Sequence, residues 1–201
     1  MFAQRDLGIR NSYHAYSRTV NIYTVGYEGL GPEEFLRQLR RARVRVVVDV
    51  RDVALSRKRG FSKTALAEAL CAAGIEYLHV RSLGCPKPIR DQYRADRDWN
   101  AYTVAFMKHL RQQGQAVSDL AGLCEDRAAA LLCYEADAGF CHRTYVARAV
   151  AALSGGGVLH ICAAGVTPDR GISAADSRTC RGLRAASHGR AATQRTRAET
   201  E

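Results

Sequence analysis

Short apolar runs alternate along the chain with segments whose apolar residues recur at helical spacing. Residues 20–26 are β-branched and aromatic and stop at Gly26, which predicts a strand. Gly31-Pro32-Glu33-Glu34 opens a helix: proline fits the first turn, and the carboxylates complement the positive end of the helix dipole. Phe35, Leu36 and Leu39 continue it as an apolar stripe with arginines opposite. Residues 44–50 are almost wholly valine, with Arg45 near the start, as in a strand buried on both faces of a parallel sheet. Ser62 caps a helix through Leu66, Leu70 and Cys71 that Gly74 ends. A third strand spans 75–80, helices follow over 100–113 and 117–124, and a fourth strand spans 129–134. A helix over 141–153 and a short strand over 158–161 complete the series.

The order β-α-β-α-β-α-α-β-α-β predicts a single α/β domain over 20–163. Its sheet is mostly parallel, of about five strands, flanked by helices on right-handed crossovers. Residues 1–19 read as a polar N-terminal arm with interspersed aromatics. From 164 onward the composition changes. There is no Phe, Tyr or Trp, only Val166, Ile172 and Leu183 as large aliphatics, and seven Arg stand against four acids. Such a segment buries too little apolar surface to offset its ordering entropy, so 164–201 is expected to be a disordered, Arg-rich tail open to proteolysis.

The whole chain of 201 residues is 47% hydrophobic and 25% charged, which excludes disorder throughout. Its longest apolar runs are too short for a bilayer span, so no membrane partner is expected. The first residues lack an apolar signal core, which points to the cytoplasm. A net charge of +10 favours a phosphate-bearing small molecule or a nucleic acid as partner. The seven cysteines include no CxxC pair and read as reduced thiols. No cofactor is expected, and the oligomeric state is left open.

In an open parallel sheet the site lies beyond the carboxyl ends of the strands. The residues there are Gly26-Tyr27-Glu28, Asp49-Val50-Arg51 with Arg57-Lys58-Arg59 in the next loop, His79 to Pro86, and Cys133-Tyr134-Glu135 followed by Cys141-His142-Arg143. Titratable groups therefore converge on one rim, whereas the strand interiors are apolar. Cys141, His142 and Arg143 begin a helix, where free N–H groups and the dipole favour an anion and lower a thiol pKa. Their rival reading is a small first residue, an exposed histidine and a surface ion pair. Asp49 is either an acid/base group, an orienter of an arginine, or half of a structural pair with Arg51. Glu135 is either a general base or the partner of Arg143. Cys133 reads first as a small buried hydrophobe and His79 as a satisfied core histidine. The basic run at 57–59 is either a solvated loop or a steering patch for phosphate. A metal set from Cys133, Glu135, Cys141 and His142 matches no standard spacing, so no metal is assigned. Asp49, Glu135 and Cys141 are thus the candidate catalytic residues, and Tyr27, Glu28, Arg51, His142 and Arg143 the candidate substrate-binding ones.

Several motifs are absent: the GxxxxGK[ST] phosphate loop, GxGxxG and GxSxG. The cysteine-phosphatase pattern of Cys, five residues, Arg fails, since position 139 is Gly and position 147 is Ala. Val48-Asp49-Val50-Arg51 is similar to a rhodanese string, but no matching catalytic loop follows, so sulfur transfer is not assigned.

The chain resembles the family called domain of unknown function 488 over roughly residues 21–153. The resemblance is carried by Tyr23 to Glu28, Val48 to Arg51, Ser56 to Phe61, Gly74 to His79 with Leu83-Gly84, and above all the Cys133-Tyr134-Glu135 to Cys141-His142-Arg143 block. It implies the fold and the site location, and no reaction. The chain departs from the pattern at Ala54, where many relatives have proline, and at Cys85, where they have a second glycine. The function expected is an enzyme acting on a phosphate-bearing substrate. Its rivals are a non-catalytic nucleic-acid-binding module, which requires steep salt dependence, and a cysteine-based metal or redox sensor.

Overall fold

The computed structural model describes residues 20–171. The elements are β1 (Asn21–Gly26), α1 (Pro32–Arg41), β2 (Val46–Asp49), α2 (Lys63–Ala72), β3 (Glu76–His79), α3 (Lys87–Asp96), α4 (Trp99–Arg111), α5 (Gly114–Asp126), β4 (Ala129–Cys133), α6 (His142–Ser154), β5 (Gly157–Cys162) and β6 (Gly165–Pro168). The strands form one sheet in the order β3-β2-β4-β1-β5-β6, parallel except for β6. The α/β class and the parallel sheet expected from the sequence are present.

Local chemistry explains the elements. Pro32 opens α1, Glu33 and Glu34 sit in its first turn, and Arg40 and Arg41 in its last, all in favour of the dipole. In β2, Val46, Val47 and Val48 are fully buried. Alternation sends Val46 and Val48 toward α4, α5 and α6, where they meet Phe106, Leu120 and Val146. Val47 points the other way, toward Phe35, Leu39, Leu66 and Leu70 of α1 and α2. The two cores on opposite faces follow from right-handed crossovers: β1–β2 and β2–β3 run one way along the sheet, β3–β4 and β4–β5 the other.

Two elements depart from the sequence reading. Helix α3 was not expected: the sequence reading placed two helices between the third and fourth strands, over 100–113 and 117–124, and α3 with its Pro86 and Pro88 precedes them. Both prolines belong to the helix entrance, where a missing N–H costs nothing. Strand β6 falls inside the segment read as tail, so the boundary at 164 is corrected. A two-residue turn at Ala163-Ala164 folds β6 antiparallel onto β5, pairing Cys162 with Gly165 and Leu159 with Pro168. The composition of 38 residues averaged away a four-residue edge strand that ends, as edges often do, in proline. The polar arm expected over 1–19 and the rest of the expected tail, 172–201, lie outside the described residues.

Side chains pin β6. Arg148 of α6 donates to both oxygens of Asp169, at 2.7 and 2.9 Å, and the Asp169 amide donates to the Val158 carbonyl at 2.9 Å. We expect Asp169→Ala to lower the local opening free energy of β6 by about 1 kcal/mol. Hydrogen exchange would read this as faster exchange at Gly165 and Thr167, whose amides face β5, with the α1–α2 core unchanged.

Candidate functional site

β2 and β4 are neighbours whose onward connections diverge, so a crevice opens beyond their carboxyl ends. A cavity of about 550 Å3 lies there, reached by Tyr27, by residues 51–53 and 55–58, by Cys85, by α3 and the start of α4, and by Cys133, Glu135, Cys141 and His142. The loops also touch through backbone: a Cβ on Gly84 would fall 2.2 Å from the Asp52 amide nitrogen.

On the α1–α2 side, Asp49 is completely buried. Its Oδ1 accepts from the Arg51 amide at 3.1 Å and from Arg51 Nε at 2.8 Å, and its Oδ2 from Arg51 Nη2 at 2.5 Å and Tyr77 OH at 2.7 Å. Arg51 Nη1 donates to Tyr27 OH at 2.8 Å and to the Phe61 carbonyl at 2.9 Å. Burial opposes the charge on Arg51, but Asp49 and Tyr27 outweigh it, and its pKa rises. Burial and the adjacent Asp49 also raise the Tyr77 pKa. Asp49 does not line the cavity, whereas Arg51 and Tyr27 do. Of the three roles open to Asp49, its saturated, enclosed carboxylate fits the orienter of Arg51 and not a group that exchanges protons with a ligand. Tyr27 is locked by stacking on Phe61, with ring centroids 4.3 Å apart.

On the other face, Cys133 ends β4, Cys141 precedes the first residue of α6, and His142 is that first residue. All three are buried. His142 Nε2 lies 2.7 Å from the Val50 carbonyl, which can only accept, so the Nε2–H donates and Nδ1 is turned to the other side. That Nδ1 faces Cys133 Sγ at 3.6 Å and Cys141 Sγ at 3.9 Å. The hydrogen bond with Cys141, then burial, push the Cys133 thiol well above its ordinary range. Burial would raise Cys141 too, but the Cys133 hydrogen bond, the Arg143 charge and His142 bring it well below its ordinary range. Burial pushes the neighbouring Cys85 thiol up to about 11.

Arg143 does not face the cavity. It is 1% exposed, and its Nη1 and Nη2 donate to the carbonyls of Glu135 at 2.5 Å and Ala136 at 3.3 Å. The expected phosphate contact is corrected: the side chain clamps the loop after β4 and places a positive charge behind the thiols. Glu28 works on the same loop from outside, accepting from the Ala136 amide at 3.0 Å. Glu135 is half-buried and lines the cavity. His79 is satisfied by the Arg51 carbonyl at 2.9 Å. The hollow therefore holds Glu135, Arg51, Cys141 and His142, while Asp49, Arg143 and Glu28 support it from behind.

Sequence reasoning missed the third wall. Arg90, Tyr93 and Arg94 of α3, Arg97 just beyond it, and Trp99 and Tyr102 of α4 all line the cavity. Trp99 stacks on Tyr102 with centroids 4.7 Å apart and meets Phe140 at 5.2 Å. Arginines at 90, 94 and 97 recur at helical spacing, a signal that was available once the prolines were read as a helix start. In all, six basic side chains line the cavity against two acidic ones, Asp52 and Glu135. Asp52 accepts from Arg81 and Arg90.

A family model described as domain of unknown function DUF488 matches residues 31–150. The chain belongs to that family. The DUF488 match runs from the entrance of α1 through most of α6, so it takes in Arg51, α3 and the Cys133 to Arg143 block and begins after Tyr27 and Glu28. No curated protein and no solved structure matches the chain. Among the described residues, no helix is long and apolar enough to cross a membrane.

Proposed function

We propose that this chain is an enzyme acting on a phosphate-bearing substrate of nucleotide size. The phosphate is held among Arg57, Lys58, Arg94 and Arg97, a planar base lies along the Trp99–Tyr102 stack, and the reacting bond lies over Cys141 and His142. Glu135 is the carboxylate within reach of the same space. The observation that supports this best is the coexistence, in one cavity of about 550 Å3, of a basic rim, an aromatic wall and a buried thiol–imidazole floor. A volume of that size suits a small ligand, where polar anchors set orientation and apolar surface supplies affinity. Guanidinium groups grip phosphate oxygens in pairs, and aromatic faces accept any base.

The cavity wall draws its arginines from an exposed helix surface, so they can be removed without disturbing the core. Arg97→Ala is expected to weaken binding of a nucleoside monophosphate by about tenfold, the loss of one charge-assisted contact. Titration calorimetry at fixed salt reads this, with the melting temperature as control. Unchanged affinity in both Arg97→Ala and Arg94→Ala would overturn the reading. Binding of single-stranded oligonucleotides with a steep salt slope, and none of mononucleotides, would favour the non-catalytic nucleic-acid module instead.

A further inference from the structure

Cys133 Sγ, Cys141 Sγ and His142 Nδ1 all lie within 4.8 Å of one another. We propose that these three atoms bind a zinc ion, with its fourth coordination position open to the cavity. Metal–sulfur bonds of about 2.3 Å and a metal–nitrogen bond of about 2.0–2.1 Å in a tetrahedron set the sulfur and nitrogen ligands about 3.6 Å apart. The Cys133–His142 and Cys141–His142 separations, 3.6 and 3.9 Å, match that spacing without rearrangement.

Three further features support the assignment. The Val50 carbonyl receives the Nε2–H of His142, which is the outer hydrogen bond that orients a metal-binding imidazole and leaves Nδ1 free to coordinate. The ligands stand on rigid supports, the end of a central strand and the start of a 13-residue helix. Phe106 packs edge-on against His142 with centroids 5.3 Å apart, which fixes the ring further. Two sulfurs and one imidazole nitrogen form a soft donor set that selects zinc over magnesium or calcium. All three residues line the cavity, so the remaining position faces the space where the ligand enters, the arrangement of a reactive zinc and not of a closed structural one. The open position would take water or a phosphate oxygen of the substrate, and in this respect alone the inference rests on the function proposed above. The sequence reading set these three residues aside, with Glu135, because their spacing is that of a strand end and a helix start brought together across the loop 134–140, which matches no helix or knuckle motif.

The full chain, purified without chelator from zinc-supplemented medium, is expected to carry about one zinc per molecule by elemental analysis, the stoichiometry of a single tetrahedral centre. Cobalt substituted for zinc should show the visible bands of a tetrahedral thiolate site. Cys133→Ser, Cys141→Ser and His142→Gln should each weaken zinc binding at least about a hundredfold, beyond the 10–100-fold that outer-shell changes cost. Cys71→Ser, on the exposed side of α2, should keep it. Should a ligand variant fail to fold, the wild-type chain still decides the matter: zinc chloride added to metal-free protein must protect Cys133 and Cys141 from alkylation. Metal-free protein as purified, with no protection by zinc, overturns the inference. If nucleoside monophosphate binding then persists, the proposed function stands without the metal. Bound zinc with no affinity for phosphate compounds would remove that function and leave the zinc centre.

Discussion

Asp49→Ala is expected to cost about 3–5 kcal/mol of folding free energy, the penalty for breaking a buried ion pair from one side. The carboxylate is wholly enclosed and accepts four hydrogen bonds, three of them from Arg51 and one from Tyr77. Its loss leaves a guanidinium with 6% exposure and no counter-charge of its own, still bound to Tyr27 and the Phe61 carbonyl. Against a typical domain stability of about 5–15 kcal/mol, that is a large fraction. Urea denaturation of the variant measures it. A companion double variant, Asp49→Ala with Arg51→Met, should recover part of the loss, because an apolar pair replaces an orphaned charge. A single-variant cost below about 1 kcal/mol would show that the pair is not the anchor described above.

Gly26→Ala should be almost as damaging for a different reason. Gly26 closes β1 and pairs in register with Cys133 at the end of β4. A methyl group there would sit 1.8 Å from the Glu135 carbonyl oxygen and 2.7 Å from its carbon. The obstacle is backbone, and it is held: Arg143 donates to that same carbonyl, and the Glu28 amide donates to the Tyr134 carbonyl at 2.8 Å. The loop after β4 cannot retreat without giving up both bonds. Overpacking costs about 1–3 kcal/mol where side chains can adjust, and we expect at least the upper end here. Because the displaced loop carries Glu135 and leads into Cys141, ligand affinity should fall even in conditions where the variant remains folded. A thermal melt combined with nucleoside monophosphate titration checks both parts. A variant with the parent's melting temperature and affinity would contradict the close approach.

The residues that were legible in advance share a property: their pattern is local. Val46, Val47 and Val48 announce a doubly covered strand, and Pro32 with Glu33 and Glu34 announces a helix start, from neighbours alone. Convergence of the loops could be anticipated because parallel order forces every strand to end on the same rim. What escaped was set by distance in the chain. Whether Asp49 faces a ligand or an arginine depends on Tyr77, which is 28 residues away. The buried position of Arg143 depends on the path of residues 134–138, which no periodicity encodes. In α3, Ile89 and Tyr93 offer only a thin apolar stripe and no residue is fully buried, so a helix that supplies three of the cavity's side chains carries little periodic signal.

Separate stretches of chain build the two parts of the cavity: β2, β4 and α6 on one hand and the segment 87–99 on the other. The thiol and imidazole floor is set by the end of β4 and the start of α6, whereas half of the basic side chains that line the cavity, Arg90, Arg94 and Arg97, come from the segment between β3 and α4. Exchange of that stretch would alter three of the charges on the cavity wall and leave Cys133, Cys141 and His142 where they are.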